Sequence, residues 1–238
     1  MRYLQSHPDV LVERGVGEVH YFDIGWEHGE SHYRSFFPLQ SRLDRHGNAT
    51  ARTTLTGEKT PYYLFHPLAP ERAASTIPEA KLIAILRDPV ERAASHHRMN
   101  VSMGVESLGL AEAIEIESAK VEPARQRIID GGPPAGGYDA SYFSYVSRGR
   151  YAEQLNAWLR HYARAQLLIL RSEDLDQDPE STYSTTLEFL GLAPHRPEFV
   201  RHNAARRPYD ISPEVKSRLE DLLREPNRLL AEEFGISW

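Results

Sequence analysis

The sequence predicts an α/β fold with a mainly parallel sheet flanked by helices. Two segments carry this prediction, because each reads as a buried strand followed by a turn and a helix; they begin at Leu82 and at Leu167. A chain of 238 residues can bury one sizeable core, so we expect one domain over residues 1–238. In such folds ligands bind beyond the carboxyl ends of the strands.

The first unit opens with a continuous apolar run, Leu82–Leu86, whose length is typical of a strand buried on both faces. Asp88 is suited to cap the following helix, Pro89 to its first turn, and Glu91 to the return hydrogen bond of a capping box. The spacing therefore predicts a tight strand–turn–helix connection.

Arg87 and Ser95 stand where this unit would meet a ligand. Arg87 follows the strand directly, and Ser95 lies about two turns into the helix. A guanidinium fork matches the geometry of a phosphate, and a hydroxyl adds a further hydrogen bond. The alternative is structural: Arg87 pairs with Asp88 or Glu91, and Ser95 faces a neighbouring helix.

The second unit repeats this order. Leu167–Leu170 is a short apolar strand, and Asp178 with Pro179 opens a helix after the connecting segment RSEDLDQ. The helix is expected to run to about Leu190, where Gly191 provides a stop.

Helical periodicity predicts the flanking layers. One helix is expected around Leu110–Ala119 and a longer amphipathic one around Tyr151–Ala163. The C-terminal stretch reads as two helical pieces, because Pro226 interrupts the pattern.

Composition argues against several functional classes. A net charge of −6 argues against a general nucleic-acid binder, and the absence of cysteine excludes disulfides, thiolate catalysis and cysteine-ligated metals. The 11 histidines show no metal-ligand spacing, so no metal is expected. All apolar runs are shorter than the roughly 18–20 residues that span a bilayer, and the N-terminus has no apolar signal core. We therefore expect no membrane partner and a cytoplasmic location.

Three other segments carry candidate site residues. Arg206 and Arg207 precede Tyr209 in a loop between helices, a combination that suits a nucleotide clamp, although a solvated charge pair is commoner. Glu18, in GEVHYFD, is a general base if it reaches an acceptor proton; the alternative is an exposed carboxylate on a strand edge. Lys59, in TGEKTPYY, does not complete a Walker loop, because glutamate precedes it where glycine is required. A phosphate-loop kinase is therefore disfavoured.

Taken in order, these segments resemble those of the heparan-sulfate-type sulfotransferases, the glucosaminyl N- and 3-O-sulfotransferases and their bacterial relatives. LQSHPDV resembles the end of the family's first helix, and GEVHYFD with HYRSFFP its Glu-x-x-Phe-Phe block and the Tyr-x-x-x-Phe-Pro that follows. GEKTPYY resembles its Glu-Lys-Ser/Thr block, and LRDPVERAASHH its 3′-phosphate motif. RGRYAEQLNAWLRHY, LLILRSEDL and RRPYDISPEVKSRLEDLL also fit. The similarity spans nearly the whole chain, and the common order of the blocks makes it specific.

The resemblance implies a donor site for the co-substrate 3′-phosphoadenosine 5′-phosphosulfate. Arg87 and Ser95 would bind its 3′-phosphate. The loop that would close over the nucleotide contains Arg206, Arg207 and Tyr209.

The resemblance also implies the chemistry. Glu18 would deprotonate the acceptor, and Lys59 would stabilise charge around the transferring sulfonyl group. The acceptor would be a hydroxyl or amine of a carbohydrate-like or small molecule, and no metal would take part. Its contacts are expected near residues 131–137 and around His66.

The sequence departs from the family at its beginning. The family's first strand, and the lysine- and glycine-containing loop that wraps the 5′-phosphosulfate, have no counterpart. The expected fold is therefore a P-loop-like sulfotransferase fold lacking that strand and loop. Either the sequence is N-terminally incomplete, or the chain is a non-catalytic nucleotide-binding remnant. Unpaired sheet edges would then favour low stability or self-association. Gly17 also replaces a basic residue often found before the glutamate in 3-O-type members, which leaves the acceptor contacts open.

Overall fold

The computed structural model describes residues 2–13, 17–132, 138–199 and 211–238. Its helices and strands follow in the order α1 (Arg2–Gln5), α2 (Glu30–Arg34), α3 (Gln40–Thr50), α4 (Ala69–Thr76), β1 (Leu82–Leu86), α5 (Pro89–Ser102), α6 (Leu110–Ile129), α7 (Tyr138–Tyr142), α8 (Tyr151–Leu159), β2 (Leu167–Arg171), α9 (Ser172–Gln177), α10 (Pro179–Leu190) and α11 (Pro213–Phe234). Short 3₁₀ turns cover Trp26–His28, Pro61–Leu64, Ser147–Gly149 and Arg164–Gln166.

The two strands form a parallel pair, in register from Leu82 opposite Leu167 to Leu86 opposite Arg171. Both therefore end at the same edge, and the helix-flanked parallel arrangement confirms the α/β prediction. Burial of β1 on both faces was expected, but only partly holds. Leu86 is buried, whereas Ile85 is 49% exposed because the described residues leave its face of the strand open. Self-association through sheet edges stays a prediction.

The connection from β1 to α5 forms as its local chemistry predicts, with one exception. Asp88 caps α5 by accepting a 2.8 Å hydrogen bond from the Glu91 N–H, and Pro89 occupies the first turn. The expected hydrogen bond from the Asp88 N–H to the Glu91 side chain is replaced, because the Asp88 N–H donates instead to Glu173 Oε1 at 2.9 Å. Glu173 Oε2 also accepts from the Trp238 indole at 2.9 Å. The turn after β1 is thus tied to α9 and to the C-terminus.

Three helix boundaries differ from those expected. Helix α6 continues well past Ala119, and α8 ends before Ala163. Most of the segment RSEDLDQ, expected to be a connection, forms helix α9. In α6 the helix continues because Val121 and Ala124 are fully buried on both sides of a proline. Tertiary burial there outweighs the local propensity.

Helix α11 is continuous, so the prediction of two pieces separated by Pro226 is wrong. Its buried stripe is formed by Leu219, Leu223 and Leu230, which lie on both sides of the proline and are almost completely inaccessible to solvent. Packing of this stripe compensates for the hydrogen bond that the proline cannot donate. The described residues include no helix with both the length and the apolar character to cross a bilayer.

Two apolar clusters position the functional segments. The larger joins α5, α6, α7 and α11 through residues such as Ala93, Val121, Ala140 and Leu223. The second is aromatic and packs residues 19–37 against the 3₁₀ turn Pro61–Leu64, α4 and α8. The segments that carry Glu18 and Lys59 therefore rest on the second cluster.

Gly149 marks a close approach between the turn before α8 and helix α11. A Cβ atom built there would lie 2.8 Å from Leu223 Cδ2 and 3.1 Å from Pro89 Cβ. We expect Gly149→Ala to lower the free energy of unfolding by about 1–3 kcal/mol, because the core would be overpacked. Denaturant unfolding measures this change. Gly57→Ala, where no atom lies within 4 Å of the new Cβ, is the control; equal losses in both variants would contradict the packing argument.

Candidate active site

The two predicted catalytic residues lie against each other although they are 41 positions apart in the sequence. Lys59 Nζ is 3.3 Å from Glu18 Oε1. The neighbouring Thr60 joins the two segments, since its buried Oγ1 accepts hydrogen bonds from the N–H groups of Val19 (3.1 Å) and His20 (3.3 Å). Residues 17–20 form no strand, so the strand-edge alternative for Glu18 is wrong, although its side chain is 38% exposed.

An imidazole links Glu18 to a buried carboxylate. His20 Nε2 lies 3.2 Å from Glu18 Oε2, and its Nδ1 lies 2.7 Å from Asp23 Oδ2. Asp23 is buried and also accepts from the Ile24 N–H at 2.6 Å. His20 has a φ of 53°, in the left-handed region that costs most residues energy and often occurs at functional sites. This turn directs the imidazole between the two carboxylates.

Neighbouring side chains fix the backbone of this segment. The Tyr63 hydroxyl accepts from the Tyr21 N–H at 2.7 Å and from the Phe22 N–H at 3.3 Å. Arg72 Nη1 donates to the carbonyl oxygens of Phe22 (3.0 Å) and Asp23 (2.8 Å). The carboxylates and the imidazole are thus held by a well-bonded backbone, which is what a preorganised site requires.

Sequence reasoning assigned a role to Glu18 but none to His20, Asp23 or Thr60. The spacing Glu-x-His-x-x-Asp is visible in the sequence and was the available signal. What the sequence does not reveal is the left-handed turn at His20, which brings the three side chains together.

Substitution of Thr60 tests whether its hydroxyl holds the segments of Glu18 and Lys59 together. Its hydroxyl donates to Glu58 Oε2 at 2.9 Å, and burial raises the pKa of that carboxyl group while this hydrogen bond lowers it. We expect Thr60→Val to cost about 1–3 kcal/mol of unfolding free energy, because buried N–H groups lose their acceptor. Thr60→Ser keeps the oxygen and should be close to wild type. Calorimetric or denaturant unfolding distinguishes them, and equal stability of the two variants would contradict this role.

Arg87 and Ser95 occupy the places that the sequence predicts. Arg87 follows β1, and its Nη2 lies 3.3 Å from Glu91 Oε2, with 39% and 50% of the two side chains exposed. The Tyr151 hydroxyl donates to the Arg87 carbonyl at 2.9 Å. Ser95 is half-buried in α5. The ion pair of the structural alternative is therefore present, but an exposed pair of this kind is weak. The phosphate role stays a prediction.

The candidates of the expected nucleotide loop and most of the glycine-rich stretch lie outside the described residues. They are Arg206, Arg207 and Tyr209, together with residues 133–137 of the glycine-rich stretch. Within the described ranges, no group of three or more histidine, aspartate or glutamate side chains is arranged to hold a metal ion.

A family model described as "Sulfotransferase domain" matches residues 60–207. The chain belongs to the sulfotransferase family. This confirms the resemblance stated from the sequence and the prediction of a transferase class of enzyme. The matched range includes Arg87 and Ser95, whereas Glu18 and Lys59 lie before it.

Curated relatives agree with this assignment. The chain is 33% identical over 193 residues to the mouse protein "Heparan sulfate glucosamine 3-O-sulfotransferase 3B1", covering 81% of this chain and 42% of the relative. It is 31% identical over 199 residues to the human "Bifunctional heparan sulfate N-deacetylase/N-sulfotransferase 3", covering 81% of this chain and 20% of the relative. The chain thus spans less than half the length of these relatives.

A solved structure supports the fold. The sulfotransferase from Alicyclobacillus acidocaldarius superposes with a TM-score of 0.68 at 23% identity, covering all of this chain and 90% of that one. This similarity confirms the sulfotransferase fold predicted from the sequence.

Proposed function

We propose that the chain transfers a sulfonyl group from 3′-phosphoadenosine 5′-phosphosulfate to a hydroxyl or amine of a carbohydrate acceptor. The observation that carries this proposal is the meeting of Glu18, His20 and Lys59 on a well-bonded backbone. Family membership and relatives whose names include heparan sulfate sulfotransfer support the reaction class and the carbohydrate acceptor.

Glu18 is the proposed general base. Its carboxylate takes the proton of the acceptor hydroxyl or amine as the acceptor oxygen or nitrogen bonds to sulfur. The bond between sulfur and the donor's 5′-phosphate oxygen breaks in the same step, and adenosine 3′,5′-bisphosphate leaves. His20 and Asp23 hold that carboxylate in one orientation through the 3.2 Å and 2.7 Å contacts. Glu18 loses its negative charge on protonation, so its ion pair with Lys59 weakens. This happens as negative charge grows on the oxygens around the transferring sulfonyl group. The Lys59 ammonium group then stabilises the oxygens that become more negative.

The residues at the end of β1 fit the donor's 3′-phosphate. Among the described residues, the Arg87 side chain pairs with the exposed carboxylate of Glu91. The other N–H donors of the Arg87 guanidinium remain available to an anion. Ser95 follows on the same helix with a half-buried hydroxyl. When bound, the donor supplies the activated sulfonyl group.

A transfer assay tests the proposal. Purified chain is incubated with ³⁵S-labelled donor and heparan sulfate, and label incorporated into polysaccharide is counted. We expect incorporation that depends on the chain. Binding of adenosine 3′,5′-bisphosphate without any transfer would instead support the alternative of a non-catalytic nucleotide-binding protein. The cytoplasmic location also stays a prediction, which fractionation of expressing cells would test.

A further inference from the structure

Three arginines converge beside the candidate active site: Arg92, Arg125 and Arg148, which we name the arginine cluster. The Arg148 Cζ atom lies 4.6 Å from the ring centroid of Tyr62 and 5.7 Å from that of Phe65. The Arg125 Cζ atom lies 4.8 Å from the same Phe65 ring. Two guanidinium groups therefore contact the same aromatic ring. Each is attracted to the ring, but the two positive charges repel each other.

Arg92 adds a third positive charge to this region. Burial, followed by the charge of Arg92, lowers the pKa of Arg148 to about 10. Burial and the charges of Arg148 and Arg92 also lower the pKa of the adjacent His96 to about 2. The three arginines therefore create a concentrated positive potential inside the fold.

The described carboxylates do not balance this charge. Within those residues, Arg92 and Arg148 form no ion pair, and the carboxylate paired with Arg125 is Glu122 at 3.9 Å, a largely exposed side chain. The buried Glu117 attracts Arg92 and Arg148 electrostatically. It forms no ion pair with either among the described residues, and its oxygens accept from the N–H groups of Val146 (2.6 Å) and Ser147 (2.7 Å). The cluster thus carries a surplus of positive charge.

Four hydrogen-bond donors of the cluster also lack acceptors. The Nε atoms of Arg92, Arg125 and Arg148 and the hydroxyl of Tyr62 are buried, and none has a partner among the described residues. Tyr62 is itself 8% exposed. Buried polar groups are nearly always paired in folded proteins, so unpaired donors around a positive surplus indicate an anionic ligand.

The cluster adjoins the proposed catalytic residues. Tyr62 follows the Lys59–Thr60 pair by two positions, and its hydroxyl interacts electrostatically with Asp23. Arg148 interacts in the same way with Glu18. An anion held here would lie next to the carboxylate that is proposed to accept the proton.

We propose that the arginine cluster and the Tyr62 hydroxyl bind one oxyanion, a sulfate or a carboxylate group. Such groups accept several hydrogen bonds at once. They suit the unpaired Nε donors, because Arg92 Nη2 and Arg148 Nη2 already donate to the carbonyl oxygens of Tyr145 and Ser141. The oxyanion comes either from an anionic group of the acceptor, in which case the inference rests on the proposed function, or from inorganic sulfate in solution. The existence of the site does not depend on turnover.

Sulfate binding tests the site directly. The melting temperature of the wild-type chain is measured in sodium sulfate and in sodium chloride at equal ionic strength. We expect a saturable stabilisation by sulfate alone. Tyr62→Phe, which removes one oxygen, and Arg125→Gln should each weaken the apparent affinity about tenfold or more, the loss expected for one hydrogen bond to a charged group. Arg160→Gln, on an exposed arginine of the α8 end, is the control.

Saccharide binding distinguishes the two sources. Calorimetry compares heparosan oligosaccharide with its carboxyl-reduced form. If the acceptor supplies the oxyanion, sulfate displaces heparosan, and Arg125→Gln weakens binding of heparosan more than that of the reduced form. If the source is inorganic sulfate, sulfate binds without displacing heparosan. Either result supports the site. The site is overturned if the wild type shows no saturable sulfate effect, or if Tyr62→Phe and Arg125→Gln leave that effect unchanged. Both outcomes are readable even if the chain transfers no sulfonyl group.

Discussion

Glu18→Gln should lower kcat for sulfonyl transfer by about 10²–10⁴-fold, the usual contribution of a positioned general base. Glutamine keeps the shape of the side chain but takes up no proton. It also removes the charge that faces His20 Nε2 at 3.2 Å and Lys59 Nζ at 3.3 Å. The measurement is steady-state transfer of ³⁵S label to heparan sulfate at saturating donor.

Nucleotide binding separates loss of chemistry from loss of folding in this variant. The affinity for adenosine 3′,5′-bisphosphate should stay at the wild-type value, because Glu18 is not among the residues proposed to bind it. Glu153→Gln is a matched control, since Glu153 is an exposed carboxylate that lies 3.6 Å from Arg150. A Glu18→Gln enzyme with kcat near that of wild type would remove Glu18 from the mechanism.

Arg87→Ala should weaken binding of adenosine 3′,5′-bisphosphate by about 100-fold or more. A guanidinium that makes two charge-assisted hydrogen bonds to a phosphate contributes about 3 kcal/mol, and each 1.4 kcal/mol is a factor of ten. Isothermal titration calorimetry measures the dissociation constant. Ser95→Ala, which loses a single neutral donor, should have a smaller effect of about tenfold or less.

The control for this experiment is Arg34→Ala. Arg34 forms the same kind of i,i+4 pair with Glu30 as Arg87 forms with Glu91, so its loss reproduces the removal of a surface ion pair. It lies on α2, outside the β1–α5 unit that carries Arg87 and Ser95. Equal affinities of Arg87→Ala, Arg34→Ala and the wild type would show that Arg87 is only a structural partner of Glu91.

Features that depend on adjacent residues were predictable from the sequence. The β1–α5 connection follows from an apolar run, a capping aspartate and a proline, and the helix cap at Asp88 confirms it. The hydrogen bond from the Asp88 N–H to Glu173 was not predictable, because the two residues are 85 positions apart and meet only when the sheet forms. The continuity of α11 through Pro226 is a similar case, since burial of leucines against other helices decides it.

In the candidate site, too, some features were predictable from the sequence and others depend on the fold. The family resemblance indicated Glu18 and Lys59, and the structure brings them to 3.3 Å. The contacts of the His20 imidazole with Glu18 and Asp23 depend on the left-handed backbone conformation of His20, which only the folded chain reveals. The arginine cluster draws on α5, α6 and the turn before α8, so no local motif in the sequence announces it.

A crystal structure of the chain with adenosine 3′,5′-bisphosphate tests the account most directly. We expect the 3′-phosphate within about 2.7–3.2 Å of the Arg87 guanidinium and the Ser95 hydroxyl, the range of ordinary hydrogen bonds. The 5′-phosphate should face Lys59 and Glu18. A nucleotide bound elsewhere, such as in the cleft lined by Ile169, Asp174 and Ser181 beside β2 and α10, would contradict the assignment of the active site.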